Sequence, residues 1–253
     1  MTVDASQLHV LAIHAHPDDI EFQCAGTLRR LRKLGCRISV ATMTPGDCGS
    51  AEYDAQAIAA IRRDEARRAA VILEAECSCL EFRDLSIVFD NDSRRRMTEF
   101  LRKTAPNIIL TAPPIDYMHD HEITSALVRD ACFNASVPNY RTCQWDPAPA
   151  TQKIPWLYFV DPVEGTDHFG NRISPDFVVD ISEEMQPSWT LWPAIPASGN
   201  GCGDSMGWTN TWKPVSAGVV SAGRKLGCST AKDSASIRAI LIRPATFSAS
   251  CCT

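Results

Sequence analysis

Lysine and arginine are in deficit in this 253-residue chain: 25 basic side chains face 30 acidic ones, a net charge of −5. Without a basic field there is nothing to grip a phosphate backbone, so nucleic acid is not an expected partner. No run of eighteen apolar residues occurs, which excludes an evident membrane-spanning helix. No G-x-G-x-x-G or other phosphate loop is present, so a nucleotide cofactor is not implied. The eleven cysteines contain no C-x-x-C pair, and zinc-ribbon and thioredoxin readings fail with it. Their odd number and irregular spacing suit buried thiols in a reducing compartment. The N-terminus, MTVDASQLHVLAIHAHPDD, lacks the clean apolar stretch of a secretory signal, and the expected location is the cytoplasm. What is present, 45% hydrophobic and 22% charged residues, suffices for one substantial core or two small ones, with small polar molecules as the expected partners.

Up to Met185, short apolar runs alternate with longer amphipathic ones, the rhythm of βαβ units around a parallel sheet. Strands are expected at 8–13, 37–42, 80–82, 107–111, 157–160 and 177–181, and helices at 21–34, 55–73, 93–103 and 122–133. The expected fold class is therefore α/β, a mostly parallel sheet covered by helices. Residues 1–185 form the expected domain.

Residues 186–253 differ in character, with eight charged side chains but four of the six tryptophans and seven of the thirteen glycines. Helical periodicity vanishes, and a Gly/Ser-rich irregular extension accounts for it by composition. A sharper reading is an aberrant, out-of-frame tail. Permitted codons read from the third base of the Met185 codon give ATKLDTLACHPSQREWLRRQHGMDEYLE, a charged, helix-forming string of the kind that should follow ISEE.

Two clusters carry the chemistry. His14-Ala15-His16-Pro17-Asp18-Asp19 ends the first strand, and Asp116-Tyr117-Met118-His119-Asp120-His121 follows the fourth. In a doubly wound sheet of order 3-2-1-4 those strands are neighbours where the winding reverses, and both clusters meet at the carboxyl edge. His16, Asp19 and His121 then offer two imidazoles and a carboxylate, a donor set that suits catalytic zinc with one position left open. Asp18 is left to handle the proton of a water molecule. Asp120 suits the support of a ligating histidine. His9, His14 and His168 are expected to be structural or exposed.

AHPDD at a strand end with a later DH resembles the PIG-L/LmbE-like deacetylase family over about residues 8–184, with Thr44-Pro45-Gly46-Asp47, Arg62-Arg63-Asp64-Glu65 and PNIILTAPPIDYMHDHEITSALVRDACF as further likenesses. The resemblance implies a Rossmann-like three-layer sandwich and a zinc-dependent N-deacetylase acting on N-acetylglucosamine conjugates. It implies His16, Asp19 and His121 as metal ligands and Asp18 as general base. Two departures stand out. The family often has histidine where this chain has Met118, whose thioether cannot donate a hydrogen bond, and His119 one position on is the candidate substitute. The CHPSQ-like stretch expected near the family's C-terminus occurs in the offset reading and not in the chain itself.

Arg62 lies in RRDEARR, which reads as a solvated, salt-bridged helix face; its functional alternative is to bind a substrate hydroxyl or an anionic aglycone. The expected activity is removal of acetyl from an N-acetylglucosamine-type conjugate. Its rivals are an amidase cleaving a larger thiol–sugar conjugate and a catalytically impaired metal- and carbohydrate-binding protein.

Overall fold

Strand β1 (His9–His14) is buried along its whole length because both faces of the sheet are covered. Leu11 and Ile13 point into one apolar cluster with Met97, Leu101, Leu127 and Val128, whereas Val10 and Ala12 point into another with Leu28, Ile38 and Leu73. Each fully buried side chain of this size contributes about 1.5–3 kcal/mol relative to exposure. The computed structural model describes residues 4–142, 144–162, 165–184, 238–241 and 243–244. The rest of the 186–253 segment, and with it the out-of-frame reading, lies outside the described residues.

In chain order the elements are β1, α1 (Asp19–Gln23), α2 (Ala25–Lys33), β2 (Arg37–Thr42), α3 (Ala55–Ile72), β3 (Glu76–Cys79), α4 (Asn91–Thr104), β4 (Ile108–Thr111), α5 (His119–Asn134), β5 (Trp156–Phe159), β6 (Val178–Asp180), β7 (Arg238–Leu241) and β8 (Arg243–Pro244). The main sheet runs β3-β2-β1-β4-β5-β8, parallel from β3 through β5 and antiparallel at β8. Helices α4 and α5 cover one face and α1 to α3 the other, which makes the expected three-layer sandwich. β6 and β7 pair antiparallel in a sheet of their own.

Two elements differ from the sequence expectation. The third strand is Glu76–Cys79 and not 80–82, since an edge strand needs no continuous apolar run and this one is largely exposed. Leu80 and Phe82 nevertheless continue the contact, donating backbone N–H groups to Thr42 and Met43. The helix expected at 21–34 starts two residues earlier and is interrupted at Cys24, whose φ of −142° leaves the helical region. Asp54 and Asp90 cap α3 and α4 by accepting the N–H groups of Ala57 and Ser93, both at 2.8 Å. At Gly26 on α2, the Ile181 side chain occupies the space a Cβ would take.

Candidate active site

The register places β1 between β2 and β4, so the loops leaving β1 and β4 open side by side at the carboxyl edge, where the winding reverses. The first loop is short because Asp19 opens α1 while its Oδ2 accepts the backbone N–H of His16 at 2.8 Å. Between them Asp18 takes φ +107°, a left-handed conformation that strains a residue with a side chain. The second loop ends where His119 starts α5, and Met118 and Asp120 flank it.

His16, Asp19 and His121 are brought together. His16 Nδ1 lies 3.2 Å from His121 Nε2, and Asp19 Oδ2 lies 3.4 Å from each of those nitrogens. Zinc bonds to nitrogen and oxygen of about 2.0–2.2 Å put tetrahedral ligands roughly 3.3–3.6 Å apart, so this near-equilateral triangle fits three corners of such a centre. The far nitrogens meet carboxylates: His16 Nε2 lies 3.0 Å from Asp84 Oδ1 and 3.4 Å from Asp120 Oδ2, and His121 Nδ1 lies 3.2 Å from Asp116 Oδ1. Carboxylates there keep the far nitrogens protonated and turn Nδ1 of His16 and Nε2 of His121 toward the centre of the triangle.

The electrostatics follow from burial and pairing. Burial opposes the charge on both histidines, yet bonds to Asp120, Asp19 and Asp84 push His16 up to about 12, and Asp116 and Asp19 push His121 up to about 9. Burial likewise opposes ionisation of Asp19, but hydrogen bonds from His121 and His16 hold its carboxyl well below the usual range. With no ion present, two imidazolium charges offset the carboxylates, and a dication could replace both protons.

Asp18 stands beside this triangle. Burial raises its pKa, and the Arg62 guanidinium at 2.8 Å opposes the rise without cancelling it. Arg62 does reach the crevice from α3, and there it bonds Asp18 Oδ2, the Pro17 carbonyl and, at 3.3 Å, the buried Glu65. His119 is exposed on the first turn of α5, and no ion pair or hydrogen bond among those described joins it to the triangle. His14, the last residue of β1, is fully buried, and desolvation holds it near 4.

Sequence reasoning missed Asp84 and gave Asp116 no role. Asp84 sits in the loop between β3 and α4, where its N–H donates to Asp47 Oδ1 at 2.9 Å and its Oδ2 accepts from the Cys48 N–H at 3.2 Å. No spacing rule links residue 84 to residue 16.

Among curated proteins, the chain is 28% identical over 185 residues to diacetylchitobiose deacetylase of Thermococcus kodakarensis, a match covering 70% of this chain and 65% of that protein. It is 24% identical over 147 residues to 4-oxalmesaconate hydratase of Pseudomonas putida, covering 55% and 57% respectively. The chain thus spans less than two thirds of the length of either relative. Among solved structures, the 4-carboxy-2-hydroxymuconate hydratase of Pseudomonas putida superposes with a TM-score of 0.72 at 21% identity, covering 98% of this chain and 100% of that one. The N,N'-diacetylchitobiose deacetylase of Pyrococcus horikoshii gives 0.70 at 20% identity, covering 93% and 84%. Both confirm the fold. Residues 11–132 match the family model for GlcNAc-PI de-N-acetylase, PIG-L.

Proposed function

We propose that the protein is a zinc-dependent hydrolase that removes acetyl from an N-acetylglucosamine-type conjugate. The observation that carries the reading is the triangle of His16 Nδ1, Asp19 Oδ2 and His121 Nε2 beside Asp18. The similarity to a diacetylchitobiose deacetylase supports the bond and the sugar class. Zinc held by His16, Asp19 and His121 would supply a Lewis acid that acidifies water and draws charge from the acetamide oxygen.

The remaining work falls to the chain. Asp18 takes a proton from the attacking water as a C–O bond forms at the acetamide carbon. Protonated Asp18 then returns the proton to the amine nitrogen as the C–N bond breaks, giving acetate and the free amino sugar; His119, at the rim, is the alternative donor. Arg62 keeps the Asp18 carboxylate aimed, and only some of the five N–H groups of its guanidinium are taken by Asp18, Pro17 and Glu65. The others suit a substrate hydroxyl. Asp120, with Asp84 and Asp116, orients the histidines.

The test is acetate release from N-acetylglucosamine conjugates by protein stripped of metal and then reloaded with zinc. Acetate only after reloading supports the reading. Cleavage of a larger amide without acetate would make the protein a thiol–sugar amidase, and binding without turnover an impaired carbohydrate-binding protein. Water added to an unsaturated tricarboxylate would favour a hydratase, a second reading that the Pseudomonas putida relative supports.

A further inference from the structure

We infer that His168 and Glu122 are positioning residues of the metal centre: the hairpin around residues 165–173 clasps Glu122, and through it the Asp116 loop that aims His121. This rests on the zinc reading of His16, Asp19 and His121 and extends it to a part of the fold outside the two loops that carry the ligands.

The contacts run outward from the ligand. His121 turns Nε2 toward Asp19, and its Nδ1 lies 3.2 Å from Asp116 Oδ1. Asp116 is completely buried; Oδ1 also accepts the Met118 N–H at 3.3 Å, while Oδ2 has no hydrogen-bond partner among the described residues. A carboxylate anchored through one oxygen keeps its aim only if its own main chain is held. Glu122 supplies that hold: from the first turn of α5 it reaches back past the cap residue Met118, and its Oε1 accepts the Asp116 N–H at 3.1 Å. The same Oε1 lies 2.9 Å from His168 Nε2. One acceptor oxygen thus gathers an N–H from the loop and an N–H from the hairpin.

The hairpin end of the clasp is built in advance. Thr166 and Arg172 bridge across it, and the Asp167 carboxylate accepts the N–H groups of Phe169 and Asn171 at 2.9 and 2.8 Å and the Asn171 amide at 3.0 Å. Gly170, at φ +77°, makes the turn. His168 is presented on a fixed backbone, so little freedom is lost when it meets Glu122. Helix capping alone does not account for the arrangement, because an acid on the first turn of α5 serves the helix dipole without a partner from the hairpin. Nor does folding, since an ion pair with side chains 45% and 23% exposed adds little to stability. What the pair fixes is the direction of Glu122, hence the Asp116 backbone, hence the ring of His121.

The experiment uses the full chain, stripped of metal and reloaded. Competition with a zinc-binding dye gives zinc affinity, and the visible spectrum of the cobalt-loaded chain reports the geometry of the ligands. Glu122→Ala is expected to weaken zinc binding about tenfold and His168→Ala about three- to fivefold, each with a shifted cobalt spectrum. Glu122→Gln keeps an acceptor and His168→Gln a donor at the same points, and both should recover most of the affinity. Glu122→Ala with His168→Ala should be no weaker than Glu122→Ala alone, because both act through one oxygen. Phe169→Ala, beside His168 and 87% exposed, should change neither affinity nor spectrum. Full affinity with an unshifted spectrum in both alanine variants overturns the inference, as do additive losses in the double variant or a Phe169→Ala loss as large as that of His168→Ala. Any of these in a chain that binds zinc and cobalt before substitution sinks the inference alone. Failure of the unsubstituted chain to bind either metal sinks the zinc reading with it.

Discussion

His16 Nδ1 and His121 Nε2 face each other at 3.2 Å although 105 residues separate them. Two parallel strands, β1 and β4, put their carboxyl ends side by side, and each delivers one imidazole to the same point. Asp19 closes the triangle from within the first loop.

Removing the base and removing a ligand should have separable effects. Asp18→Ala should retain zinc, read by metal analysis, and lose about two to four orders of magnitude in acetate release. His121→Ala should lose the metal as well. His119→Gln should fall between full activity and the Asp18 variant if the exposed imidazole hands a proton to the amine, and should match the unsubstituted chain if Asp18 does so alone. Full activity in Asp18→Ala would end the mechanism.

Zinc affinity should climb with pH. The folded chain binds protons on His16 and His121 more tightly than an ordinary imidazole of 6.5, and both must leave before zinc can bind. Below about 9, where both are held, two protons are displaced, so affinity should rise by up to about a hundredfold per pH unit. Competition with a zinc-binding dye between pH 6 and 8 reads it. For the metal-free chain the sign reverses: pairing of the raised histidines stabilises it fully below their unfolded value of 6.5, and that stabilisation is lost as pH rises through about 9 for His121 and about 12 for His16.

Asp84→Ala should weaken zinc binding by about ten- to a hundredfold while leaving the three ligands in place, because His16 Nε2 loses its 3.0 Å partner and the ring is no longer fixed. Asp116→Asn should act through His121 in the same direction. Equilibrium dialysis against buffered zinc decides; unchanged affinity in both would mean the carboxylates are packing partners only.

Gly26→Ala should destabilise the fold by about 1–3 kcal/mol, since the new methyl meets Ile181, whose Cβ lies only 3.2 Å away. Ile181→Val in the same chain should recover part of the loss by shortening the obstructing side chain. Thermal unfolding of the three variants tests the contact between α2 and the segment after β6.

We propose that residues 186–253 are read out of frame, on the strength of their low charge and the coherent helix in the offset reading. Sequencing the DNA around codon 185 tests it directly. A chain carrying the offset C-terminus should release acetate faster than the chain as it stands; equal rates would show that residues 1–185 suffice.

The sequence by itself determined the layers and pointed to His16, Asp19 and His121, the three corners of the triangle. Buried parallel strands must be apolar on both faces, so Leu8 to Ile13 and Arg37 to Thr42 were legible, and AHPDD and the later DH showed their chemistry in residue type alone. The edge strand was misplaced because exposure removes the pattern that reveals a strand, and the break at Cys24 left no mark in the amphipathic run. Only the tertiary structure decided that Asp84 and Asp116 hold the histidines, and that the RRDEARR helix turns Arg62 inward to Asp18 and not outward to solvent. Those are contacts between loops and helices brought together by sheet order and register, and side-chain periodicity along one element carries no information about which loop will lie across from it.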